Sequence, residues 1–129
     1  MKITLTSIMV KDQDDALEFY TKVLGFEKKD DALMGEYRWL TVTSSEGIEG
    51  VELLLEPMGF PPAEVYQQSL FEAGIPATAF HSVDIVAEFK RLKALGVVFR
   101  GEPQKMGPVT TVMFEDTCGN LICLAQPKA

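Results

Sequence analysis

The sequence predicts an α+β fold built from two βαβββ modules, and three observations predict it. A strand, an amphipathic helix and a set of strands occur in that order twice along the 129 residues. Each helix lies between an aspartate able to cap its start and a glycine able to end it, at Asp12 and Gly25 and again at Asp84 and Gly96. The two copies superimpose by a nearly constant offset: 71 residues carry Ala16 onto Ala87, Leu24 onto Leu95 and Gly25 onto Gly96, and 72 carry Asp12 onto Asp84. The modules are expected at about 1–57 and 76–127, within one domain spanning 1–129. With 47% hydrophobic residues, a chain of this size buries a core without disulfide or metal staples.

Each element has a local reason. Lys2 to Val10 is rich in β-branched residues and reads as a strand ended by the polar cluster Lys11 to Asp15. Ala16, Leu17, Phe19, Tyr20, Val23 and Leu24 recur three and four apart, the spacing of one helical face; Asp12 or Asp14 can cap it. Tyr37 to Thr43 and Val51 to Glu56 are strand candidates, and Ser44 to Gly50 between them has hairpin-loop composition. Residues 58–75 form a linker with one short helix. Ala77 to Val83 is strand-like, and Val86, Ala87, Phe89, Leu92 and Leu95 make the second helical stripe. Strands Val109 to Glu115 and Asn120 to Gln126 close the chain around the turn Asp116-Thr117-Cys118-Gly119-Asn120.

Composition excludes several functions. A net charge of −7 leaves no basic stripe for phosphates, so neither nucleic acid nor an anionic membrane is an expected partner. No apolar run approaches the roughly 20 residues that span a bilayer, and the first ten residues have a strand pattern rather than a secretory one. Cys118 and Cys123 stand too close together for a disulfide framework and read as reduced thiols of a cytoplasmic protein. Cys118, in a turn, is expected to be the more exposed of the two.

The stretches VKDQDDALEFYTKVLGF, TAFHSVDIVAEFKRLKALGV and FEDTCGNLICL resemble the two strand-to-helix passages and the closing hairpin of the vicinal oxygen chelate superfamily. That superfamily includes glyoxalase I, extradiol dioxygenases and bleomycin-resistance proteins. The resemblance spans Lys2 to Leu124 and implies paired modules whose sheets form a curved mixed sheet around a cavity, in a homodimer. Metal-binding members place four ligands there, a His on the first strand and a Glu on the last strand of each module. Carried onto this chain, those positions fall on Leu5, Glu52, Ala77 and Cys123, and the offset of 71 also lays Glu52 on Cys123. Leu5 and Ala77 have no lone pair to donate, so no metal and no cofactor is expected.

The remaining polar groups each admit two readings. Glu52 interrupts an apolar strand; facing the cavity it needs a partner, facing solvent it needs none, and the family register favours the cavity. His81, the sole histidine, shares a strand face with Ala77 and either contacts a ligand or stands idle at a strand end. Cys123 behaves as a small hydrophobe unless a base activates it. Gly101, Pro103, Gly107 and Pro108 bracket a loop from which Lys105 and Met106 could serve as a lid. The expected lining is Leu5, Ser7, Met9, Trp39, Leu54, Ala77 and Cys123, with Glu52 and His81 as the few polar groups, which fits a pocket for a small, largely apolar molecule. The alternative is a glyoxalase-like lyase or isomerase, or a dioxygenase, using an atypical metal site or Glu52 as general base.

Overall fold

The computed structural model describes residues 1–128, which divide into two compact units, Met1–Tyr66 and the residues from Gln67 onward. In the first unit the elements are β1 (Leu5–Val10), α1 (Gln13–Glu18), β2 (Glu27–Met34), β3 (Tyr37–Thr43) and β4 (Glu52–Pro57). The sheet order is β1-β4-β3-β2, with β1 parallel to β4 and the other pairs antiparallel. Asp12 caps α1 by accepting the Asp15 amide at 2.9 Å, so of the two candidate caps it is Asp12 that acts. The helix widens into a π-helical turn over Phe19–Val23, where the Leu24 amide reaches back five residues to the Phe19 carbonyl. Gly25 then takes φ 90°, a left-handed conformation that a side chain would strain, and Phe26 N–H closes the end on the Tyr20 carbonyl.

Burial alternates along these strands. Ile8, Val10, Leu40, Val42 and Leu55 are buried on one face, together with Ala16, Phe19 and Tyr20 of the helical segment. Arg38 shares that face by alternation and pairs with Asp14 of α1, which places the helix on this side. Gln13 secures the packing: its amide donates to the Arg38 and Leu55 carbonyls at 2.8 and 3.0 Å and accepts the Arg38 N–H at 3.1 Å. One side chain thus satisfies backbone groups of two neighbouring strands.

β2 is an element the sequence pattern did not reveal. All eight of its residues are exposed, and Glu27-Lys28-Lys29-Asp30-Asp31 shows no apolar alternation because an edge strand without a buried face has none to show. Charges on such an edge discourage pairing with another chain. Two residues, Lys29 and Asp30, stand opposite Thr41 between the pairs Lys28–Val42 and Asp31–Leu40, making a bulge. α2 (Pro61–Glu72) occupies most of the expected linker; it is a twelve-residue helix opening on two prolines, whose missing N–H groups cost nothing in a first turn.

The second unit repeats the plan with β5 (Thr78–His81), α3 (Ile85–Ala94), β6 (Gln104–Met106), β7 (Val109–Glu115) and β8 (Leu121–Pro127), in the order β5-β8-β7-β6. Asp84 caps α3 through the Ala87 amide at 3.1 Å, and Gly96 has φ 90°. Val112, Phe114, Ile122 and Leu124 are buried on one face. A ladder of rings, Phe89 on Phe99 and Phe99 on Phe114, ties α3 to that face, with centroids 4.6 and 5.8 Å apart. The segment read as a loop holds Lys105 and Met106 in β6, paired with β7, where short length had hidden the strand.

The turn between β7 and β8 corrects one expectation. Cys118 is the buried thiol, at 2% exposure, and Cys123 is half-buried. The turn folds inward because fully buried Asp116 accepts three hydrogen bonds, from the Cys118 amide (2.7 Å), the Asn120 amide (3.0 Å) and the Asn120 side chain (2.8 Å). Gln67 of α2 donates to the Cys118 carbonyl and to Asn120 Oδ1 at 3.2 and 3.1 Å. Polar composition therefore marks a buried, satisfied network here, not a solvated loop.

Candidate functional site

Each sheet has one face packed by its helix and one turned away from it, and the expected site residues lie on the latter. In the first unit, β1 and β4 pair in parallel register as Leu5–Glu52, Ser7–Leu54 and Met9–Glu56. Thr41 pairs with Leu54 on β3, which puts Trp39 and Tyr37 on the same face by alternation. All six residues expected in this unit, Leu5, Ser7, Met9, Trp39, Glu52 and Leu54, therefore share one face, opposite Ile8, Val10, Leu55 and Arg38. Leu54 is buried, Met9, Trp39 and Glu52 are half-buried, and Leu5 and Ser7 are exposed. Gly59 borders this face: a Cβ there would stand 3.1 Å from Tyr37 Cε2, a tight contact that the ring would have to shift to relieve.

Glu52 is positioned by Thr41. The threonine is fully buried; its hydroxyl donates to Glu52 Oε1 at 2.8 Å and accepts the Asp30 amide at 3.1 Å from the β2 bulge. The hydroxyl's one proton is thereby directed at the carboxylate. Among the described residues Thr41 is the only side-chain partner of Glu52, so the second carboxylate oxygen remains able to accept a hydrogen bond or face a cation. Thr41 was absent from the expected site. Its signal was the alternation Tyr37, Trp39, Thr41, Thr43, which puts a hydroxyl in step with the aromatic residues.

In the second unit Ala77, His81 and Cys123 share the face turned away from α3. β5 and β8 pair as Ala79–Cys123 and His81–Ala125, and the Ala77 amide donates to the Leu121 carbonyl at 2.8 Å. The register partner of Cys123 is Ala79, whereas counting back from the helix cap leads to Ala77. Leu5 precedes its cap, Asp12, by seven positions, while Ala79 precedes Asp84 by five, so the strand-to-cap connection is two residues shorter in this unit. Met113 pairs with Cys123 from β7, and Thr111 with Ala125. Burial pushes the Cys123 thiol above its ordinary value, so it stands as a neutral thiol at neutral pH, with its sulfur 3.9 Å from the Leu124 carbonyl. His81 is exposed and has no side-chain partner among the described residues.

These donors do not fit the metal that the family resemblance implies. On β1 and β5 the positions in register with Glu52 and Cys123 are Leu5 and Ala79, which have no donor atom. Glu52 supplies a single carboxylate, and Cys123 would have to lose a proton that its burial retains. Among the described residues no three His, Cys, Asp or Glu side chains converge on one point. Also among them, no helix is long and apolar enough to cross a membrane.

Comparison with known proteins agrees with this architecture. The model of the family described as Glyoxalase/Bleomycin resistance protein/Dioxygenase superfamily matches residues 2–124. The chain is 56% identical over 126 residues to the uncharacterized protein YurT of Bacillus subtilis (strain 168), covering 98% of this chain and 99% of that one. Among solved structures it is similar to UcmS2, with 32% identity, TM-score 0.83 and 97% of each chain covered. It is also similar to TnmS3, an antibiotic binding protein from Streptomyces sp. CB03234, with 28% identity, TM-score 0.79 and coverage of 99% and 97%.

Proposed function

The chain belongs to the Glyoxalase/Bleomycin resistance protein/Dioxygenase superfamily, and from that premise we propose that it binds a small, largely apolar molecule in a metal-free cavity. The observation that carries this reading is the face of the first sheet, where Leu5, Met9, Trp39 and Leu54 share one side with Glu52 and Glu56, and a buried hydroxyl holds the Glu52 carboxylate. Such a surface gives apolar area for affinity and a single oriented acceptor for selection, the usual division of labour in a small-molecule site. TnmS3 is an antibiotic binding protein, which supports a binding role on the same fold. In this reading Glu52 orients the ligand, and the protein works as a cytoplasmic homodimer.

The test uses N-phenyl-1-naphthylamine, a neutral apolar probe that brightens on leaving water, with protein treated with chelator and checked for residual metal. Saturable brightening that added nickel or zinc does not change is expected, together with a rise in melting temperature, because a ligand of the folded state stabilises it by mass action. Binding only after nickel or zinc is restored would overturn the proposal in favour of a metal-dependent lyase, isomerase or dioxygenase.

A further inference from the structure

The face that carries the proposed site also has a one-sided charge distribution. On β1, β3 and β4 no lysine, arginine or histidine occupies it, whereas Glu52 and Glu56 both do. Arg38 lies on the opposite face with Asp14 and Asp31. Lys29 stands only at the outer edge, in the β2 bulge next to Asp30. Of the two glutamates, Glu52 is the oriented one, since Thr41 fixes one of its oxygens; Glu56, in register with Met9 and on the Trp39 side of Leu54, has no side-chain partner among the described residues.

Resting on the binding role proposed above, we infer that the ligand is a monocation: an ammonium head at Glu52, with an apolar body lying over Leu54 toward Trp39. A half-buried carboxylate beside apolar side chains interacts more strongly with a charge than it would in bulk water. An aromatic ring at the far end favours an apolar or cationic body over an anionic one. Trp39 is two residues along β3 from Thr41, a span of roughly 7 Å, which suits a body of one or two compact rings. A neutral molecule of the same shape would leave the carboxylate desolvated and without a counter-charge, and an anion would be repelled.

Trp39 is the only tryptophan of the chain, so its emission reports on this face directly. The probes are 1-adamantanemethylamine, 1-adamantanemethanol and 1-adamantanecarboxylate, which share a body and differ in head-group charge, titrated into chelator-treated protein. The amine is expected to bind about tenfold more tightly than the alcohol, and the acid more weakly than both, with the preference shrinking as salt is raised. Glu52→Gln should remove the amine's advantage over the alcohol; Glu56→Gln should preserve most of the preference. Equal binding of amine and alcohol by the unaltered protein overturns the inference, as does an equal effect of the two substitutions or the absence of any response to the three probes. The two readings fail separately. If N-phenyl-1-naphthylamine binds but the amine shows no advantage, the cationic ligand is wrong and the apolar site stands; if it does not bind, the site itself is wrong.

Discussion

The two sheets are built on one plan and carry different chemistry at matching places. In the first, Leu5 pairs with Glu52 and Thr41 with Leu54; in the second, Ala79 pairs with Cys123 and Thr111 with Ala125. Threonine is kept on β3 and β7, yet only Thr41 is fully buried and bonded to a neighbouring carboxylate, while the position matching Glu52 holds a thiol that burial keeps protonated. The connections before β4 and β8 differ in the opposite sense: residues 44–50 are exposed, whereas Asp116–Asn120 is drawn around a buried carboxylate. Backbone register is thus repeated where side-chain chemistry is not. The carboxylate oriented by a buried hydroxyl sits in one unit, and the polar network that holds a turn sits in the other.

The largest effect should come from the turn. Asp116→Ala strands three buried donors, at about 1–3 kcal/mol each where water cannot reach them, and should lower the urea midpoint by the equivalent of about 3 kcal/mol or more. Glu46→Ala in the exposed connection of the first unit should stay within about 0.5 kcal/mol. Equal losses at the two sites would remove the contrast.

Next are the two threonines. Thr41→Val leaves the Asp30 amide without its acceptor and Glu52 without its donor, and should cost about 1–2 kcal/mol by the same denaturation measurement. Thr111→Val, on half-buried β7, should change stability by less than about 0.5 kcal/mol.

A smaller effect concerns pH. The folded Cys123 thiol has its pKa raised above the ordinary 9.0, so its contribution to stability is complete below pH 9 and declines as pH rises from 9 through the folded value. Cys123→Ala should flatten that alkaline decline, and iodoacetamide should alkylate Cys123 in the folded protein more slowly than free cysteine at pH 8. The smallest expected effect is at Asp31, whose carboxyl lies below the ordinary 3.8, chiefly through its hydrogen bond with Arg38. That contribution is present above pH 3.8 and is lost as pH falls below it, so stability curves of Asp31→Asn and the parent protein should converge in acid. The pair is on the surface, and a small gap at neutral pH is expected.

Much of this was legible in the sequence because it depended on periodicity. Asp12, Gly25, Asp84 and Gly96 mark both helix ends, and the alternation that put Leu5, Ser7 and Met9 together follows from strand geometry alone. β2 and β6 were hidden because exposed or very short edge strands need no apolar pattern. Thr41 was missed because its role depends on a neighbour eleven residues away, and Cys118 was misjudged because a turn of polar residues looks the same in sequence whether it faces water or a buried aspartate. Register across a parallel pair is also non-local: a two-residue difference in connection length replaced Ala77 by Ala79 opposite Cys123.

The central claim, that the first sheet's face away from α1 binds an apolar molecule without a metal, is tested most directly by energy transfer from Trp39 to N-phenyl-1-naphthylamine in chelator-treated protein. Saturable transfer at about one probe per chain, abolished in Trp39→Phe while the probe still brightens, is the predicted result. Absence of transfer until nickel or zinc is added, or probe binding that leaves Trp39 emission untouched, would contradict it.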